Sequence, residues 1–139
     1  MAITSAVCNS FKQECMLGEH DLDTDVLKIA LFTDAATLDA STTAYSTTNE
    51  VVGTGYTAGG ETLTTVTVTL DGSVAIVDFD NVTWASADFT ARGALIYNSS
   101  KTDKAIAVFD FGSNRTASDG DFVVVVPAAA AATAVIRLS

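Results

Sequence analysis

Apolar residues along the chain occur mostly in short runs that are separated by polar, turn-forming stretches. The run 26–33 predicts a strand, because its side chains are nearly all apolar. In 61–70, threonines alternate with Val66, Val68 and Leu70. This period of two predicts an antiparallel strand with one buried face and a threonine face that meets water or a partner.

The middle of the chain is predicted to form the centre of the core. Two apolar runs, 94–97 and 105–111, are joined by the polar stretch 98–103. This arrangement suits a β-hairpin with a loop longer than two residues. Neither run alternates cleanly, so we expect both to be buried on most of both faces. Trp84 and Phe89 should add a large aromatic area at one end of this core.

Other polar segments predict turns and loops. Residues 90–93 should form a turn, and 112–120 a polar loop. Asp71 and Gly72 predict a tight turn. Further strands are expected at 73–79, at 122–126, which should be buried, and at 133–138, after the alanine run 128–132.

One helix is predicted, over residues 4–17. Thr4 or Ser5 could cap its beginning, and Gly18 is placed to end it. Its apolar stripe consists of Val7, Cys8, Phe11 and Cys15. Two cysteines seven positions apart on a helix lie roughly 10 Å apart at their Cα atoms. We therefore predict two free thiols and no disulfide within the chain.

Together these elements predict a single all-β domain over residues 1–139. About eight strands follow one short helix, and no helices are interleaved between them as crossovers would require, so the fold should be an antiparallel β-sandwich or barrel. The core is expected to contain Ile29, Leu31, Val68, Ile76, Trp84, Leu95, Ile96, Ile106, Phe109 and Val124.

Composition and charge narrow the classes of function. The chain is 48% hydrophobic and 17% charged, which excludes a disordered protein. No apolar run approaches the roughly 20 residues of a membrane span. The N-terminus has no basic residues ahead of its apolar part, so we expect a soluble protein made in a cytoplasm. The net charge of −10 argues against nucleic-acid binding.

The acidic segment Asp21-x-Asp23-x-Asp25 resembles the start of an EF-hand loop. However, Val26 and Phe32 occupy the positions where that loop needs glycine and glutamate. We therefore expect a solvated turn and predict no metal ligands.

Catalytic chemistry finds little support in the residues. His20 is the only histidine, and no serine-elbow motif accompanies it. Acidic residues are plentiful, but nothing in the sequence selects a catalytic pair among them. We predict no catalytic residues and no cofactor.

The segments 11–20, 40–50, 53–60 and 82–98 together resemble a known family of proteins. It is a family of small structural proteins of tailed bacteriophages, and within it the chain is most similar to the capsid cement, or decoration, proteins. The resemblance implies a jelly-roll-like sandwich that clamps neighbouring major capsid subunits on the outside of the head. It also implies a homodimer, made in the cytoplasm of the bacterial host.

Two other functions remain open. A tail- or fibre-associated module of the virion could use the loops 34–60 and 112–120 to bind a host sugar or protein. A small hydrolase is the third candidate. For a cement protein, the expected contact surfaces are the helix stripe, the threonine face of 61–70 and the long loop 34–60, because a loop of that length is usually functional.

Overall fold

In the computed structural model, the described residues are 2–127, 130, 132–134 and 136–138. The elements in chain order are β1 (Ala6–Val7), α1 (Asn9–Met16), β2 (Leu27–Phe32), β3 (Glu61–Thr62), β4 (Thr67–Asp71), β5 (Val74–Asp78), β6 (Val82–Asn98), a 3₁₀ turn (Ser99–Lys101), β7 (Lys104–Val124) and β8 (Ile136–Leu138).

The strands form two antiparallel sheets. The large sheet has the strand order β1-β7-β6-β2-β3, and the small sheet has the order β4-β5-β8. Val77 of β5 and Ile136 of β8 join the same hydrophobic core as Leu95 and Ile106 of the large sheet. The prediction of an all-β antiparallel sandwich with one short helix is confirmed.

The long hairpin of β6 and β7 organises the large sheet. Its near half, 93–98 paired with 104–108, lies beside the connecting turn and is almost completely buried, as predicted. In its far half, buried and exposed side chains of β6 alternate. Trp84 and Phe89 are buried there and, as expected, form the aromatic end of the core with Phe122.

Most of the predicted core residues are buried. They are Ile29, Leu31, Ile76, Trp84, Leu95, Ile96, Ile106 and Val124. Phe109 is half-buried against the core. The prediction for Val68 was wrong, because 47% of this side chain is exposed. Val68 belongs to β4, an edge strand whose five residues are all exposed.

The helix begins later than predicted. Ala6 and Val7 pair with β7 as the short strand β1, and α1 starts only at Asn9. Ser5 does not cap the helix, because its hydroxyl accepts a hydrogen bond from the Asp110 N–H at 2.8 Å. Gly18 follows the helix with a φ of +72°, the left-handed conformation expected at a helix end.

The predicted turn at 90–93 and the predicted loop at 112–120 were both wrong. Both segments are parts of continuous strands, and they pair with each other in the far half of the hairpin. A β-bulge between Ala91 and Gly93 replaces the turn. Gly93 is required there, because a Cβ atom would lie 2.5 Å from the Phe109 carbonyl oxygen. The polar residues of 112–120 reflect exposure to solvent and not the absence of a strand.

The predicted strand 61–70 is divided between the two sheets. β3 pairs with β2, whereas β4 pairs with β5. Thr65 lies between them with a φ of +55°, and its hydroxyl donates to Asp80 at 2.7 Å. The chain therefore crosses from one sheet to the other at this point.

The C-terminal strands also differ from the prediction. In 122–126, Phe122 and Val124 are buried but Val123 and Val125 are exposed. This segment is thus half-buried and not fully buried. β8 is shorter than the predicted 133–138, and positions 128, 129 and 131 of the alanine run, together with 135 of the predicted strand, lie outside the described residues.

Candidate docking surfaces

A concave feature lies between α1, the acidic loop that follows it and the small sheet. We call it the small-sheet groove; its volume is about 510 Å³. One side is formed by Phe11, Cys15, His20, Asp21, Leu22 and Asp23, and the other by Val68, Ala75, Val77, Ile136 and Leu138. Most of the lining is apolar, so the groove suits apolar side chains of a partner.

The small sheet presents a wholly apolar face to this groove. The register pairs Val68 with Val77, Leu70 with Ala75, and Ala75 with Leu138, so all of these side chains share one face. The inner end of this face is buried in the core. Its outer end is open, with exposed fractions of 47% for Val68, 73% for Leu70 and 37% for Leu138.

The outer edge of β4 is open as well. β4 pairs with β5 on one side, and no described residue forms a strand on the other. Gly72, with a φ of +63°, occupies the first position of a two-residue turn that joins Asp71 to Val74. In such a hairpin, the two residues that flank the turn form backbone hydrogen bonds with each other. The residues next to them, and every second residue beyond, instead point their backbone N–H and C=O groups outward. Val68 and Leu70 are those alternate residues, so their backbone groups face the open edge.

Two carboxylates stand at the rim of the groove. Asp21 and Asp23 are both exposed, and neither forms an ion pair with any described residue. Asp25 instead turns inward and accepts a hydrogen bond from Asn98 Nδ2 at 2.7 Å. Desolvation opposes its ionisation, but the hydrogen bonds from Asn98 and the Asp21 N–H lower the pKa of Asp25. The described residues include no group of three or more His, Cys, Asp or Glu side chains placed to hold a metal ion.

The acidic loop is held in place by Asn98, which is completely buried. Its Nδ2 lies 3.0 Å from Nδ1 of His20, whose Nε2 lies 2.9 Å from Glu14 of α1. This chain of hydrogen bonds joins β6, the loop and the helix. It therefore fixes the direction in which Asp21 and Asp23 point. Sequence reasoning found the acidic residues but not the buried asparagine that orients them, since nothing in the residue order connects positions 98 and 20.

A second concave surface lies at the far end of the long hairpin. This hairpin-end groove has a volume of about 460 Å³, and its lining includes the polar residues Arg115, Thr116 and Asp121 beside the apolar residues Phe111, Phe122, Val123 and Val125. Val125 is 70% exposed. No residue lines both grooves. The segment 112–120, expected to bind a host ligand in a tail-associated module, supplies Arg115 to this surface. The contribution of 122–126 was not expected, because this segment was predicted to be buried.

A buried carboxylate, Glu50, joins separate parts of the long loop 34–60. Glu50 accepts hydrogen bonds from the Tyr45 hydroxyl at 2.7 Å, the Tyr56 hydroxyl at 2.5 Å and the Gly59 N–H at 2.8 Å. Tyr45 also stacks on Tyr97 with a ring-centroid distance of 4.5 Å. Desolvation, followed by the hydrogen bond to Glu50, raises the pKa of Tyr56 well above its usual range. The Tyr97 hydroxyl also donates to the Gly59 carbonyl oxygen at 2.6 Å, so Tyr97 of β6 attaches the loop to the large sheet.

Glycine at position 60 is needed where this loop meets the sheet. Its φ is +77°, and a Cβ atom there would lie 1.8 Å from the Ile29 carbonyl oxygen. The loop 34–60 was expected to form a binding surface. Among its described residues, the one exposed large apolar side chain is Val52, which is 93% exposed. The threonine face of β4 is exposed, as predicted.

The helix stripe is largely occupied inside the molecule. Cys8 and Phe11 are buried, and of the stripe Phe11 and Cys15 line the groove. Both cysteines are free thiols, as predicted. Burial is the main cause that raises the pKa of Cys8 to about 11, and burial followed by the charge of Glu14 raises that of Cys15. Both side chains are therefore protonated near neutral pH and are poor nucleophiles.

In the part of the chain that the structure describes, no helix has the length and apolar character needed to cross a membrane. Comparisons with known proteins found no matching family model, no matching curated protein and no matching solved structure.

Proposed function

We propose that this chain is a structural protein of a tailed bacteriophage that binds the outside of the head and cements neighbouring major capsid subunits. The observation that carries the proposal is the presence of two separate grooves on one body, one mostly apolar and the other lined by both apolar and polar side chains. A cement must hold two neighbours, either with two surfaces of one copy or with one surface of each copy in a dimer. Both arrangements need two contact surfaces that do not overlap.

The charge and the chemistry of the molecule support the same proposal. A net charge of −10 suits the outside of a shell better than the side that faces DNA. The grooves offer apolar side chains and backbone groups, which bind without a cofactor. Because a shell repeats each contact many times, every copy needs to supply only modest binding energy.

The proposal is tested with heads assembled without this chain. Such heads should form but rupture at a lower temperature than complete heads, and adding the purified chain should restore them. Leu70→Asp, beside the small-sheet groove, and Val125→Asp, in the hairpin-end groove, should each weaken this rescue, because each places a charge where an exposed apolar side chain is available for contact.

The matched control is Thr69→Asp, which adds the same charge to β4 on the opposite, exposed face. It should restore the heads as well as the wild-type chain does. If heads without the chain are equally robust while adsorption to the host fails, the cement proposal is wrong. A tail- or fibre-associated binding module would then be the better proposal.

A further inference from the structure

The open edge of β4 offers a partner ordered backbone groups. The N–H and C=O groups of Val68 and Leu70 point away from β5. Proteins usually protect such edges, because an open edge pairs readily with another strand. β4 carries no Lys, Arg or Pro that would discourage pairing, and among the described residues nothing covers it.

The side chains beside this edge select the partner's apolar positions. A strand added next to β4 would place every second side chain on the groove face, against Val68 and Leu70. These two side chains are among the exposed large apolar residues of the molecule. Pairing with an extended segment would thus bury apolar area and satisfy backbone groups in a single step.

The charges at the rim select the partner's polar positions. Asp21 and Asp23 line the same groove as Val68 and have no cationic partner among the described residues. A second copy of this chain would bring another β4 without a basic residue and another net charge of −10. A segment with Lys or Arg beside its apolar positions would instead neutralise the rim.

We propose that the β4 edge and the small-sheet groove bind an extended segment of a partner protein. In this segment, apolar residues occupy every second position and Lys or Arg stands beside them. The segment adds to the small sheet as a fourth strand. This inference rests on the proposed function in one respect: the segment would belong to the major capsid protein. Main-chain pairing would supply affinity, and the groove and rim would supply specificity.

The first test uses synthetic peptides as probes. One peptide alternates valine and threonine between terminal lysines; a second has glutamates in place of the lysines, and a third carries N-methyl groups that prevent pairing. Amide NMR of the full chain should show shifts at Val68 and Leu70 with the lysine peptide. At low salt this peptide should bind about tenfold more tightly than the glutamate peptide, and added salt should reduce the difference.

Variants of the chain separate the contributions of backbone and charge. Leu70→Pro removes one outward N–H without breaking the ladder to β5, and it should lower the affinity for the lysine peptide by about tenfold. Thr69→Ala, on the same strand, should leave it unchanged. Asp21→Asn combined with Asp23→Asn should remove the preference for lysine over glutamate. Asp119→Asn, an exposed carboxylate that does not line the groove, is the control for loss of one negative charge.

The same variants on heads distinguish the two proposals. If the wild-type chain and Leu70→Pro attach to heads equally well and no peptide shifts β4, strand addition is wrong while the cement function stands. If the wild-type chain does not attach to heads but the lysine peptide binds β4, the segment chemistry stands and its owner is not a capsid protein. If the wild-type chain is a dimer that Leu70→Pro converts to a monomer, the groove belongs to a second copy and the inference is overturned.

Discussion

The long loop 34–60 and the small strand β4 were both expected to contribute to binding, but the molecule treats them in opposite ways. The loop has little regular structure, yet Glu50 joins its parts through hydrogen bonds and Tyr97 of β6 holds it to the sheet. β4 is regular, yet all five of its side chains are exposed. The comparison teaches that regular secondary structure does not identify the rigid, self-sufficient part of this protein. Satisfied polar groups and buried area identify it.

The largest expected effect is loss of the loop's anchor. Glu50→Ala would leave two tyrosine hydroxyls and the Gly59 N–H without their acceptor. It should lower the free energy of unfolding by about 2 to 4 kcal/mol, measured by chemical denaturation. Glu61→Ala, which removes an exposed carboxylate from β3, is the control and should have little effect. Equal stability of the two variants would show that the loop is not held as described.

The next effect concerns the support beneath the groove. Asn98→Ala removes the buried side chain that contacts His20 and Asp25, and it should cost about 1 to 3 kcal/mol of folding free energy. Asn114→Ala, in an exposed hydrogen bond, should cost much less. Faster amide exchange across 20–25 in the Asn98 variant would confirm that this residue orients the rim. Unchanged exchange there would contradict the assignment.

Alkaline pH should weaken the body of the protein through buried acids. The pKa of Cys8 is raised to about 11, so its protonated form is favoured in the folded state. This contribution is complete below the thiol's unfolded pKa and is lost as pH rises through the folded value. The stability advantage of the wild-type chain over Cys8→Ala should therefore shrink by about 1 to 2 kcal/mol as pH rises from about 8 to 11. Denaturation at several pH values tests this, and a constant difference would contradict it.

The smallest expected effect is on the stability of β4 itself. Val68→Thr and Leu70→Thr should each change the free energy of unfolding by about 0.5 kcal/mol or less, because both side chains are substantially exposed. Val77→Thr, on the same face but buried, is the comparison and should cost more. A large loss at Val68 or Leu70 would mean that this face stabilises the fold and is not free for a partner.

The same contrast explains which features of the fold could be predicted from the sequence. β2 was predictable because a local apolar run determines it. The turn between β4 and β5 was predictable from Asp71 and Gly72. The exposure of Val68 was not, because the alternation of β4 shows which side chains share a face and not whether anything covers that face. Ala6 was wrongly predicted to be helical for a similar reason. It forms a strand with Val108, and this partner lies about a hundred positions away in the chain.

The docking surfaces were even less accessible to sequence reasoning. The hairpin-end groove depends on whether Val123 and Val125 face solvent, which the run of valines leaves undecided. One rim of the small-sheet groove is held by Asn98 of β6, which contacts His20 and Asp25 of the acidic loop, and His20 in turn contacts Glu14 of α1. A single sequence contains no local signal for either feature.

The central claim is that β4, and not the fastened loop, forms the contact with the partner. Amide hydrogen exchange of the chain, free and bound to heads, tests it most directly. The account predicts fast exchange at Val68 and Leu70 in the free chain and strong protection of both on binding, with little change across 45–59. Protection confined to the loop, with the amides of β4 still exchanging rapidly in the bound chain, would contradict it.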